Sequence, residues 1–121
     1  MINTLLAIFI GGGLGSLARF GISQLVLKTG EHVFPYATLT ANLLSCLVLI
    51  VTVSSFSDLL QKNSSFYFLL VVGFCGGFST FSTFSFETFT LIKNGQLFFS
   101  IANVVVSVMA CVGLIYFLSK R

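Results

Sequence analysis

Charge is scarce in this chain. Only nine of its 121 residues are Asp, Glu, Lys or Arg, or 7%, where an ordinary soluble domain carries about a quarter. So few charges cannot clothe a water-exposed surface, which excludes a cytosolic enzyme and a nucleic-acid binder. Tryptophan is absent, proline occurs once, at Pro35, and histidine once, at His32. His32 sits beside Glu31 with no ligand partner near it in sequence and reads as a solvated loop residue. The three cysteines, Cys46, Cys75 and Cys111, show no CxxC spacing. Neither a metal nor a redox site is indicated, and they read as small apolar residues. No Ser/His/Asp or Cys/His set is present, and Glu87 alone makes no acid–base pair. No enzyme is expected.

What the chain has in quantity is apolar bulk: 56% hydrophobic residues, with 15 Phe among them. A bilayer core about 30 Å thick takes about 20 apolar residues per helix. Stretches free of charge run over 1–18, 32–57, 63–86 and 94–119. They predict an all-α membrane protein, a single four-helix transmembrane domain over 1–121, with helices at 3–27, 36–56, 66–91 and 97–118. Gly30 to Pro35 is the first connection, Ser57 to Ser65 the second and Lys93 to Gln96 the third, with Pro35 suited to opening a helix. The first segment is too long for a removable signal peptide and lacks a cleavage flank, so it is expected to stay in the membrane.

Four crossings put both termini on the face of the second connection, with Lys62, Lys120 and Arg121. The opposite face has Arg19, Lys28 and Lys93. Since Lys/Arg asymmetry sets orientation, three cations against three give almost no preference. Either the balance is a coincidence of six residues, or the chain inserts both ways and pairs antiparallel. The basic residues are scattered, so the net charge of +3 calls for no nucleic-acid partner.

In the first segment Ala7, Gly11 and Gly15 recur every fourth position, a small-residue stripe that lets another backbone approach closely. The glycines resemble a nucleotide-binding loop only superficially, because no strand precedes them. Arg19 would cost about 2.5–3.5 kcal/mol at a bilayer centre. It is expected at an aqueous mouth, where it either attracts anions or snorkels to headgroups.

The third segment is the most informative. From Ser79 to Thr90, seven of twelve residues are Ser or Thr and four of the others are Phe. Gly76 and Gly77 each weaken a helix by about 1 kcal/mol, and the hydroxyls that follow offer the backbone other partners. A break near 76–79 is expected, roughly 15–20 Å along the helix and so at mid-membrane. In an antiparallel pair the symmetry axis lies in the membrane plane. The two breaks would then meet, and four carbonyls, two per chain, would hold a bare monovalent cation.

Beyond the break, Phe81 and Phe84 share a helix face, with Ser82, Thr83 and Ser85 around them. They form either a packing stripe or a narrow anion path, since ring edges are electropositive and hydroxyls donate hydrogen bonds. Asn42 on the second helix is either interhelical glue or an anion donor. Ser107 lies about 15 Å inside the fourth helix, with Asn103 and Cys111 on its face.

Gly73-Phe74-Cys75-Gly76-Gly77-Phe78-Ser79-Thr80-Phe81-Ser82-Thr83-Phe84, the opening that ends Ala18-Arg19-Phe20, and Thr38 to Asn42 together resemble the Fluc (CrcB) fluoride channel family over all four helices. The resemblance implies a dual-topology antiparallel dimer in the plasma membrane, with two pores that export fluoride passively from the cytoplasm. It implies a central structural sodium ion, not transported, on the backbone carbonyls of Gly76 and Ser79 from both subunits. The pore-facing rings correspond to Phe81 and Phe84, and the hydroxyl track to Ser82, Thr83 and Ser107. The vestibule corresponds to Asn42 and Arg19.

This sequence departs from the family in having Ser79 where many members have Thr, which leaves a carbonyl role intact. Asn103 stands where some have Tyr, which puts the lining at that level in question. Some members pair non-identical chains, so the partner is a second copy or a paralogue. The alternative reading is a small dual-topology multidrug transporter driven by protons. It needs an ionisable group deep in a helix, whereas Glu87 is expected near an interface. A third reading is a non-transporting assembly subunit.

Overall fold

The computed structural model describes residues 1–120, and every regular element among them is helical. In chain order these are α1 (Ile2–Leu27), α2 (Tyr36–Ser55), α3 (Ser57–Lys62) and α4 (Ser64–Tyr67). A π-helical stretch (Phe68–Cys75) follows, then α5 (Gly76–Phe78), α6 (Phe81–Lys93) and α7 (Leu97–Ser119). Four stretches are long and apolar enough to cross a membrane: Ile2–Leu27, Tyr36–Ser55, Ser64–Lys93 and Leu97–Ser119. This is a multi-pass membrane protein, and its crossings overlie the charge-free stretches, the first running on past Arg19 to Leu27 and the third past Glu87 to Lys93. The third is longer at both ends than the sequence suggests, starting at Ser64 and ending at Lys93. The second connection also gains α3, with Asp58 in its first turn and Lys62 in its last, the placement a helix dipole favours.

Side-chain pairs set the helix directions. α1 runs parallel to the third crossing, since Gly11 lies against Leu69, Gly15 against Phe74 and Phe78, and Arg19 reaches Gly77. α2 runs antiparallel to it, with Thr38 bonded to Glu87, Asn42 to Thr80 and Ser45 to Cys75. The turn Asn94 to Gln96 folds α7 back along α6, where Asn103 bonds Thr88. The Phe34 and Phe99 rings, 6.4 Å apart, join the first connection to the start of α7.

α1 and the third crossing meet backbone to backbone at glycines. A methyl group on Gly11 would collide with the Leu69 carbonyl oxygen, one on Gly15 with that of Phe74, and one on Gly77 with that of Gly12. The expected stripe is therefore a contact face at Gly11 and Gly15, and Gly12 joins it. In lipid there is little hydrophobic gain in pairing two apolar helices, so close packing through small residues supplies the attraction.

The bundle is polar within and apolar without. Thr38, Ser45, Thr52, Ser100, Asn103 and Ser107 are buried, while Phe9, Phe98 and Phe117 are at least 71% exposed. Hydrocarbon cannot hydrogen-bond, so hydroxyls and amides turn inward to find partners.

Gly15→Ala should disrupt this packing, since overfilling a tight contact costs about 1–3 kcal/mol or more. Gly13→Ala should be tolerated, because nothing lies within 4 Å of a methyl group there. Elution profile and melting temperature in detergent check both outcomes.

Candidate functional site

The site begins where two residues leave the helical path. Ser79 has φ −79° and ψ 158°, and Thr80 has φ −151° and ψ 122°. Both are extended. Helix resumes at Phe81 with Thr80 as its cap: the Thr80 hydroxyl accepts from the Thr83 amide at 3.2 Å and donates to the Thr83 hydroxyl at 3.1 Å. A Thr one residue before a helix satisfies an amide that the helix itself leaves unpaired.

Other groups freed here are satisfied by neighbouring helices. The Asn42 amide holds the Thr80 backbone from both sides, accepting from its N–H at 2.7 Å and donating to its carbonyl at 3.3 Å. The Cys75 carbonyl accepts from the Ser79 amide at 3.0 Å, the Ser79 hydroxyl at 2.8 Å and the Ser45 hydroxyl at 2.9 Å. Arg19 Nε donates to the Gly77 carbonyl at 3.2 Å, which puts a cation at the C-terminal end of α5, where the helix dipole is negative.

Below this junction lies a cavity of about 330 Å³. Asn42, Ser79, Thr80, Phe81, Phe84 and Ser107 line it, and the thiols of Cys46 and Cys111 border it with Val108 and Val112. The Phe81 and Phe84 ring centroids are 5.7 Å apart, with planes inclined by 36°. Phe84 is half-buried, but Phe81 is 78% exposed on the isolated chain. A donor chain runs behind the rings. Ser107 donates to Asn103 at 3.3 Å, Asn103 to Thr88 at 2.9 Å, and Thr88 to the Phe84 carbonyl at 2.8 Å.

The structure thus gathers Asn42, Ser79, Phe81, Phe84 and Ser107 around one space. Ser82 and Thr83 adjoin it through the Thr80 hydroxyl. Arg19 and Gly76 stand outside the lining, Arg19 on Gly77 and Gly76 on an exposed face with open space beside it. Thr80 was not singled out from sequence, although a hydroxyl just before a helical run marks a cap. Cys111 borders the cavity as its four-residue spacing from Ser107 implies, whereas the bordering position of Cys46 had no signal in the sequence.

A second cavity, about 520 Å³, opens at the end formed by the first and third connections, among His32, Glu87, Thr90, Asn94 and Gln96. Glu87 Oε1 accepts from the Thr38 hydroxyl at 2.8 Å, while Oε2 is buried without a partner. Placed near an interface by the sequence, with no role assigned, Glu87 is a half-satisfied carboxyl group at the cavity formed by those connections.

Asn42→Ala would strip the Thr80 backbone of both bonds. An unpaired buried polar group costs about 1–3 kcal/mol, so the variant should be less stable by that amount and melt at a lower temperature, read by thermal unfolding in detergent.

A family model described as CrcB-like protein, Camphor Resistance (CrcB), matches residues 6–118. A Serratia proteamaculans protein named Fluoride-specific ion channel FluC is 38% identical over 107 residues, 88% of this chain and 84% of the relative. Fluoride-specific ion channel FluC 1 of Yersinia pseudotuberculosis is 40% identical over 108 residues, 89% and 84%. The FluC of Pyrococcus abyssi is 37% identical over 115 residues, 95% and 92%. The matches take in all four crossings and the cavity between them, and the chain belongs to the CrcB family.

Proposed function

We propose that this protein is a fluoride-selective channel of the plasma membrane, through which fluoride leaves the cytoplasm passively, down its gradient. One observation carries the reading. The rings of Phe81 and Phe84, the Asn42 amide and the Ser107 hydroxyl border one cavity, in a chain whose relatives are named fluoride-specific ion channels. Ring edges and hydroxyls attract a small anion without a fixed charge to trap it. Ser107 now gives its hydrogen to Asn103, so serving an anion requires that hydroxyl to turn. Asn42 uses one of its two N–H groups on Thr80, which leaves the other for the ion. Ser82 and Thr83 continue the hydroxyl line along α6, and Arg19 draws anions toward the vestibule. Conduction makes and breaks no covalent bond, so no enzymatic step enters.

The working unit is an antiparallel dual-topology dimer with two pores. Near-balanced cations at the two ends, Lys62, Lys120 and Arg121 against Lys28 and Lys93, support it, as does the exposure of Phe81, a ring that a second copy would cover. The interruption at Ser79 and Thr80 falls at mid-membrane in this arrangement. The backbone carbonyls of Gly76 and Ser79 from each copy would hold a structural sodium ion, not transported. Sodium takes hard oxygen ligands, and the residues fit it: Ser79 is extended, and Gly76 is exposed with no side chain to hold a partner away. Bound there, the ion supplies the positive charge that joins the two interruptions.

The half-satisfied Glu87 carboxylate is the feature that favours the other reading, a proton-coupled multidrug transporter. Proteoliposome flux separates the two. Fluoride should escape without a proton gradient, and chloride should stay. Drug movement driven by pH, with no fluoride flux, would support the transporter, and no flux at all the assembly subunit. Phe81→Ile and Phe84→Ile should each slow fluoride by about ten-fold, roughly 1.4 kcal/mol of barrier, while the dimer still elutes intact. Exchanging sodium for a large organic cation during purification should abolish flux; full flux without sodium removes the ion from the scheme.

A further inference from the structure

The proposed anion path asks Ser107 for a hydrogen that the fold has already committed elsewhere. Several hydroxyls on these helices donate to a backbone carbonyl three or four residues back, as Thr88 does to Phe84, Thr90 to Phe86 and Ser100 to Leu97, the usual habit of a helical Ser or Thr. Ser107 donates instead to a side chain, the Asn103 carbonyl oxygen Oδ1, at 3.3 Å. The direction of that bond is forced from the far end of the chain of donors. Thr88 gives its one hydrogen to the Phe84 carbonyl at 2.8 Å, so it can only accept from Asn103. The group that Asn103 turns to Thr88, at 2.9 Å, is therefore its NH2, which leaves Oδ1, an acceptor alone, toward Ser107. Asn103 and Ser107 both lie on α7, four residues apart, so their bond fastens no helix to another. What it fixes is where the hydroxyl points.

We propose that Asn103 is a positioning residue for anion passage: it holds the Ser107 hydrogen away from the cavity, and so sets how weakly the pore grips an ion at that level. The inference rests on the channel reading. Ser107 borders the cavity, whereas Asn103 does not and is 1% exposed. With its hydrogen on Oδ1, Ser107 has only lone pairs for the cavity, and these repel an anion. To serve the ion the hydroxyl must turn, and the turn strips Oδ1 of its hydrogen bond where no solvent reaches. A buried acceptor without a donor is costly, so the ion is held less tightly than a free hydroxyl would hold it. Weak binding suits conduction, since an ion must leave a site as well as enter it. An apolar residue at position 103 removes the restraint. Ser107 would then have only the backbone carbonyl of residue 103 behind it, which already accepts a helical amide, and turning away leaves no group unpaired.

The test measures initial fluoride efflux from proteoliposomes carrying the full chain, over a series of internal fluoride concentrations, and reads the half-saturating concentration. Asn103→Leu should lower it by about ten-fold, the cost of one unmade buried bond expressed as a binding ratio. In a chain that already carries Ser107→Ala, the same substitution should leave it unchanged, because there is no hydroxyl to release. A packing role for Asn103 alone would shift both backgrounds alike. Asn103→Met takes the place of the leucine variant if the latter does not elute as the parent does. Equal shifts in the two backgrounds, or no shift in either, overturn the positioning role while leaving the channel in place. A rise in the half-saturating concentration on Asn103→Leu in the parent overturns it as well. A parent that passes no fluoride defeats the channel reading, and this proposal falls with it.

Discussion

Within hydrocarbon no solvent molecule replaces a lost backbone hydrogen bond, so every amide that leaves a helical path must meet a protein partner. Ser79 and Thr80 leave that path, and much of the bundle's polar interior is arranged around them. Asn42 takes both backbone groups of Thr80, Thr80 caps the helix that follows, and Arg19 takes the Gly77 carbonyl. Ser45 and Ser79 converge on the carbonyl of Cys75. These partners come from α1, α2 and the segment itself, so the local geometry of two residues ties the crossings into one unit.

The glycine contact makes that arrangement reachable. Because Gly11 and Gly12 meet Gly73 and Gly77, and Gly15 meets the backbone of Phe74 and Phe78, with no side chain between them, α1 lies close enough for Arg19 to span to Gly77. The preceding π-helical turn, Phe68–Cys75, belongs to a class of distortion found often at functional sites. A larger residue at Gly15 would move α1 outward and uncouple Arg19 from the carbonyl it holds.

Structure and site share the same atoms. Asn42 and Thr80 hold the backbone and also border the cavity. Ser107 belongs both to that border and to the donor chain that runs through Asn103 and Thr88 to Phe84. A substitution at these positions therefore acts on stability and on the cavity together, which is why ring substitutions at Phe81 and Phe84, whose side chains make no hydrogen bonds, separate the two more cleanly.

Sequence alone determined the class and the course of the chain. Its charge scarcity demanded a membrane, the helix bounds read from its apolar segments lie within two residues of the four crossings, and its Gly and Ser/Thr clustering pointed to residues 76–79. These are local matters of composition, hydropathy and propensity, and they need no knowledge of neighbours. The functions of Asn42 and Thr80 as backbone partners, the Thr38 bond to Glu87 and the Arg19 bond to Gly77 were decided by tertiary structure. Each joins residues from different helices, 38 to 58 positions apart in sequence, and helical periodicity names the face a residue occupies but not the helix it will meet.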